Sequence, residues 1–142
     1  AAVDVDFIRG TVDDVDDGDF DVVCALEVIE HVANVDDFVE ALGRLTRRDV
    51  FVSTLDKTFA AWALGVVAAE HVLRLLPPGT HDWHKFQRPA DLAVRLGAHD
   101  LTLLDIAGLT YVPFTNRAWR TDFLPGCTFN YILHARRRDA AA

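Results

Sequence analysis

The chain contains no methionine, and its 142 residues include two cysteines, eight glycines and fourteen lysines and arginines. Without a methionine, residue 1 is not a natural start, so the chain is read as a processed product or a fragment. No signal or transit-peptide pattern opens it. Two cysteines, Cys24 and Cys127, exclude a disulfide framework or a zinc ribbon and make a reducing compartment the default. Cys24 lies in an apolar run and is expected to be a small core residue. The glycines, at 10, 18, 43, 65, 79, 97, 108 and 126, form no G-x-G pair. The turn that ordinarily grips a nucleotide-type cofactor after a first strand is therefore missing from these residues. Cations are outnumbered by 22 acidic residues, for a net charge of -8, which excludes broad nucleic-acid binding. The basic clusters, Arg47-Arg48 and the "ARRRDAAA" tail, read as solvated ends. The apolar stretch Phe59 to Ala69 falls short of the roughly 20 residues of a membrane span.

What is present is the composition of an ordinary globular domain, 51% hydrophobic and 25% charged, long enough for one core. Val3 to Ile8 reads as a short strand closed by Gly10. The acidic "VDDVDDGDFD" reads as a solvated loop. Phe20 to Leu26 is a continuous apolar run, the pattern of a strand buried on both faces. Asn34 or Asp36 can cap a helix through about Leu45, with Phe38, Ala41, Leu42 and Leu45 at helical spacing. Val50 to Thr54 is a second β-branched strand. Thr58 to Leu76 is a long helix stopped by Pro77-Pro78-Gly79, and Pro89 opens another that ends near Gly97. Leu101 to Ile106 and Thr128 to Ala135 complete the strands, separated by an irregular aromatic stretch. Strands alternating with helices imply an α/β domain with a largely parallel sheet. No repeat or linker divides the chain.

Three stretches carry possible chemistry. In "EVIEH", a helical turn after Leu26 would put Glu27, Glu30 and His31 at i, i+3 and i+4 on one face, able to hold a divalent cation. The plain alternative is an acidic helix start with a solvent-facing histidine. Position favours the site, because ligands of open α/β sheets bind beyond the carboxyl ends of strands. The zinc-protease patterns need two histidines and do not fit. In "LLPPGTHDWHKFQRP", His81, Asp82, Trp83, His84 and Lys85 lie in a Pro-Gly-bounded loop that is equally a pocket lining or plain surface. The helix "TFAAWALGVVAAEHVLRLL" is apolar all round and is either core or interfacial, with Trp62 as its anchor and Lys57 and Arg74 flanking.

The blocks "FDVVCALEVIEHV", "FVSTLDKT", "PPGTHDWHKFQRPADL", "GLTYVPFTN" and "NYILHA" occur in that order from Phe20 to Ala135. In them the chain resembles the S-adenosylmethionine-dependent O-methyltransferases of ubiquinone biosynthesis, which methylate polyprenyl catechols and demethylubiquinol. The spacing G-T-H-D-W-x-K-F with a later N-Y-x-x-H is the more specific part; the first block is partly generic to methyltransferases. The resemblance implies an α/β class I (Rossmann-like) methyltransferase sheet with helices on both faces, of which residues 1–142 carry the later strands as the C-terminal part of a single domain. The first strand and its glycine-rich turn are missing, and the turn usual before "FVST" is replaced by "LTRRD". It implies that Leu26 touches S-adenosyl-L-methionine and that Glu27, Glu30 and His31 bind a divalent metal, Mg²⁺ in the family. It implies a polyprenyl catechol or quinol substrate and peripheral membrane contact, with Trp62, His81, Trp83 and His84 the candidates for the substrate and membrane side. The membrane would be the matrix face of the mitochondrial inner membrane in a eukaryote, or the cytoplasmic membrane face in a bacterium. Other ubiquinone-biosynthesis proteins are candidate partners; nucleic acid is not.

Methyl transfer is an in-line attack by a phenolate oxygen on a sulfonium methyl, so bringing the two together supplies much of the rate. A metal bound to both catechol oxygens would lower the hydroxyl pKa. Mg²⁺ prefers oxygen ligands, so His31 suits Zn²⁺ or Mn²⁺ better, or serves as a catalytic base. The competing expectation is a non-catalytic, lipid-facing or partner-binding piece of a quinone-synthesis assembly. An α/β hydrolase is disfavoured because no G-x-S-x-G elbow is present.

Overall fold

The computed structural model describes residues 3–15, 20–58, 82–112, 117–121 and 130–139. Five strands form one sheet: β1 (Phe20–Leu26), β2 (Thr46–Leu55), β3 (Leu101–Val112), β4 (Arg117–Thr121) and β5 (Asn130–Arg137), in the order β1-β2-β5-β3-β4. Two helices are described, α1 (Val35–Leu45) and α2 (Pro89–Ala98), with single 3-10 turns at Val12–Asp14 and Trp83–Lys85. The expected helix Thr58 to Leu76, which carries Trp62, lies outside the described residues apart from Thr58, and so does His81 in the loop after it.

The helices begin where their sequence dictates. Asn34 caps α1 by accepting from the Asp36 amide at 3.0 Å, and Pro89 occupies the first turn of α2, where its missing N–H costs nothing. Both lay apolar faces on the same side of the sheet, against a core of Val39, Leu42, Leu92, Leu96, Val50, Val52, Tyr131 and Leu133. Gly43 lets α1 come close to the end of α2: a Cβ there would stand 3.1 Å from the His99 carbonyl oxygen. The two described helices cover one face.

Several expectations change. The sheet is mixed, not largely parallel: β1 and β2 are parallel, while β2–β5, β5–β3 and β3–β4 are antiparallel. A connection as short as 113–116 can only return the chain antiparallel, and it returns as β4, a strand within the stretch read as irregular. β1 is not buried on both faces. Ala25 is buried, but Val22, Cys24 and Leu26 are exposed, because α1 covers one side and β1 pairs with β2 alone among the described residues. Cys24 is therefore a surface thiol rather than a core residue. Residues 3–9 are not a strand; they lie outside any ladder, with Phe7 94% exposed. Where "LTRRD" replaces the usual turn, α1 ends at Leu45 and β2 starts at Thr46, so helix runs directly into strand.

The β2–β5 register is fixed on the face opposite the helices by Asp49. Its carboxylate accepts from Arg136 Nε at 2.8 Å, from Arg48 Nε at 2.9 Å, and lies 2.8 Å from His134 Nε2. His134 in turn stacks on Phe51, ring centroids 4.4 Å apart. The hydrogen bond from Arg136 outweighs burial and holds the Asp49 carboxyl well below the usual carboxylate range, with His134 and Arg48 adding to it. A depressed native value means stability that is present above the unfolded value and lost as pH falls towards the native one. Asp49→Asn is therefore expected to cost about 2 kcal/mol at neutral pH. It should also flatten the loss of stability between about pH 5 and pH 3, measured by urea unfolding across that range.

Candidate functional site

The site lies beyond the carboxyl ends of the parallel pair, β1 and β2. The chain does not turn helical after Leu26. Glu27 adopts φ 56°, in the left-handed region, and Ile29 to His31 form a turn. The expected i, i+3, i+4 helical face of Glu27, Glu30 and His31 is therefore not formed. The physical reason is the neighbouring strand: the Glu27 amide donates to the Ser53 carbonyl at 3.0 Å, extending the β1–β2 ladder by one bond before the chain swings away. That conformation is costly for a residue with a Cβ and persists because neighbouring bonds determine it.

Strand β2 supplies those bonds. The Ser53 hydroxyl donates to Glu27 Oε1 at 2.6 Å, and the Thr54 hydroxyl donates to Glu30 Oε2 at 2.8 Å. Glu27 is exposed, whereas Glu30 is 4% exposed, and Ile29 between them is buried in the core. His31 is exposed, with its Nε2 3.9 Å from Glu30 Oε1. Sequence reading missed Ser53 and Thr54. The available signal was a pair of hydroxyl residues directly after the apolar run Val50–Val52, near the carboxyl end of the strand.

His31 also lines a cavity of about 490 Å³ with Gly10, Thr11, Val28, Val32 and Phe38. The Thr11–Asp14 turn on its far wall is self-capped: the Asp14 carboxylate accepts from both the amide and the hydroxyl of Thr11, which hold its carboxyl below the usual range. Leu26, the expected cofactor contact, is 52% exposed at the end of β1.

Asp56, just past β2, is buried, and burial raises its carboxyl above the usual value. Tyr131 is fully buried opposite Thr54 and donates to the Gln87 carbonyl at 3.0 Å. Burial, then the charges of Asp56 and Glu30, push its hydroxyl far above the ordinary tyrosine value. Asn130 is a neighbouring member of the N-Y-x-x-H pattern, and its side-chain oxygen is buried without a hydrogen-bond partner. His134 of that pattern is not at this site but at the Asp49 clamp. Trp83 packs edge-on against Phe86, centroids 5.6 Å apart, over Leu55. His84 is exposed; its amide donates to Asp82 and its carbonyl accepts from Lys57 Nζ at 3.0 Å. Trp83 and His84 thus belong to a small cluster at the end of β2 and do not join Glu27, Glu30 and His31.

A methyltransferase-domain family model matches residues 1–54, from the cavity loop through β2. The chain is 42% identical over 120 residues to the ubiquinone biosynthesis O-methyltransferase of Bartonella quintana (strain Toulouse), covering 83% of this chain and 47% of that protein. It is 37% identical over 143 residues to the enzyme of the same name from Escherichia coli O9:H4 (strain HS), covering 97% of this chain and 58% of that one. Among solved structures, magnesium protoporphyrin IX methyltransferase from Synechocystis PCC 6803 with bound SAH superposes with a TM-score of 0.60 at 20% identity, over 90% of this chain and 49% of that one. The chain is thus related to the ubiquinone biosynthesis O-methyltransferases over most of its length, and its fold is that of class I methyltransferases. It spans about half the length of the curated relatives it matches.

Thr54→Val removes the donor to a buried carboxylate while keeping the side-chain shape. It should destabilise the protein by roughly 1–3 kcal/mol, and Ser53→Ala by less, since exposed Glu27 can turn to water. Urea unfolding of the two variants checks the order.

Proposed function

We propose that the protein is an S-adenosylmethionine-dependent O-methyltransferase acting on a polyprenylated catechol or demethylubiquinol in ubiquinone biosynthesis. The observation that carries this reading is identity of 37–44% to enzymes of that name, running through the strand-end turn that holds Leu26, Glu27, Glu30 and His31. The cavity beside His31 is lined mainly by apolar groups and backbone, which suits the flat, part-polar body of a nucleoside. Leu26, exposed at its strand end, offers an apolar contact to the same ligand.

When bound, the cofactor supplies a methyl group on a positively charged sulfur. The chain's own residues would then orient the acceptor and take its proton. His31 is the exposed base beside the cavity: its imidazole would accept the catechol proton as the oxygen lone pair attacks the methyl carbon. The carbon–sulfur bond breaks, leaving a methyl ether and S-adenosylhomocysteine. Glu30, behind His31 at 3.9 Å and keyed to Thr54, would orient the ring.

The resemblance also implies a divalent cation, Mg²⁺, held by Glu27, Glu30 and His31. Glu30 and His31 approach each other, but Glu27 is tied to Ser53, and among the described residues no three His, Cys, Asp or Glu side chains are grouped so as to hold an ion. As held, the three do not fit an ion cage, and no step is routed through one. Peripheral contact with the membrane carrying the prenyl tail belongs to the same proposal. No helix among the described residues is long and apolar enough to cross a membrane.

The protein at native length, given S-adenosylmethionine and a polyprenyl catechol, is expected to form S-adenosylhomocysteine and the methyl ether in equal amounts, read by mass spectrometry. Leu26→Asp should weaken S-adenosylhomocysteine binding in calorimetry by about tenfold or more while leaving the fold unchanged, because Leu26 is half exposed. Failure to form product with any catechol would favour the non-catalytic, partner-binding reading. Val22 and Leu26, exposed on the same side of β1, fit that reading.

A further inference from the structure

We propose that Ser53 and Thr54 are positioning residues that hold Glu27 and Glu30 as separate groups on opposite faces of the sheet, rather than as co-ligands of one divalent ion. The inference deepens the reading of this site as a methyltransferase centre and rests on it for the role of the two carboxylates.

The argument starts from strand geometry. Successive side chains of a strand point to opposite faces, and β2 pairs with β5 without a register shift from Asp49–Arg136 to Leu55–Asn130. Val50 and Val52 belong to the helix-covered core, so Thr54 shares their face. Asp49 and Phe51 meet Arg136 and His134 on the other face, so Ser53 shares theirs. Each hydroxyl then takes the carboxylate on its own side. Thr54 takes Glu30, which is buried, and Ser53 takes Glu27, which is exposed.

Tyr131 lies opposite Thr54 on the core face, and its hydroxyl is pushed up by burial first, then by Asp56, Glu30, Asp91 and Glu27. Asp56 falls on that same face by alternation. The left-handed backbone at Glu27 is what lets the chain pass from one side of β2 to the other within three residues.

The test is Mn²⁺ binding to the protein at native length, followed by electron paramagnetic resonance, for wild type, Glu27→Gln and Glu30→Gln. Separate groups act additively, so Glu30→Gln should leave Mn²⁺ affinity within about twofold of wild type. A larger loss in Glu30→Gln overturns the proposal. Should that variant fail to fold, crystals of the wild type soaked in Mn²⁺ decide instead. An ion coordinated by both carboxylates overturns the proposal; an ion on Glu27 alone, or none, supports it. Neither readout needs methyl transfer, so a wild type that binds as expected but makes no methyl ether would sink the proposed activity and leave this inference standing.

Discussion

Everything at the candidate site depends on two hydroxyl–carboxylate bonds that cross from one strand to the turn after its neighbour. Ser53 to Glu27 and Thr54 to Glu30 are each 2.8 Å or shorter, and together they fix a turn that would otherwise be five residues of loop. A hydrogen bond to a carboxylate is roughly twice as strong as a neutral one. Two of them on consecutive residues hold both ends of the turn, with Ile29 pinned in the core between them. His31 and Leu26 then sit where the turn leaves them: the imidazole at the cavity rim, the leucine at the strand end.

Those bonds are only as good as the position of β2, and that is set elsewhere. On one face, Val50 and Val52 pack under α1 and α2; on the other, Asp49 gathers Arg48, Arg136 and His134. The clamp is four residues from Ser53, so a slip of one residue between β2 and β5 would turn Ser53 and Thr54 to the wrong faces. Core packing, the charged clamp and the two hydroxyls thus form one chain of constraint from the sheet's middle to its carboxyl end.

Much of this was legible in the sequence. The Asn34 cap, the Pro89 helix start and the β-branched run of β2 are local signals, and the structure places each where the pattern put it. The strand-end position of Glu27, Glu30 and His31 also followed, because the apolar run of β1 stops at Leu26. What the sequence concealed is non-local. Whether β1 is covered on two faces depends on what packs against it, and the run Val22-Val23-Cys24 looks the same in either case. The spacing of "EVIEH" suits a helix, but a backbone bond from Glu27 to Ser53, 26 residues away, overrides it. The role of His134 was equally hidden, since its partner Asp49 lies 85 residues earlier and on another strand. The segment expected to be helical, with Trp62, and the loop residue His81 lie outside the described residues.

The account's central claim is that the turn Glu27–His31 and the cavity beside it form the cofactor end of a methyltransferase site. Amide hydrogen exchange of the native-length protein, with and without S-adenosylhomocysteine, tests it most directly. The account predicts added protection at Leu26 to His31 and at the cavity loop Gly10 to Asp13, with the Asp49 clamp unchanged. Protection confined to other segments, or none at saturating ligand, would contradict it.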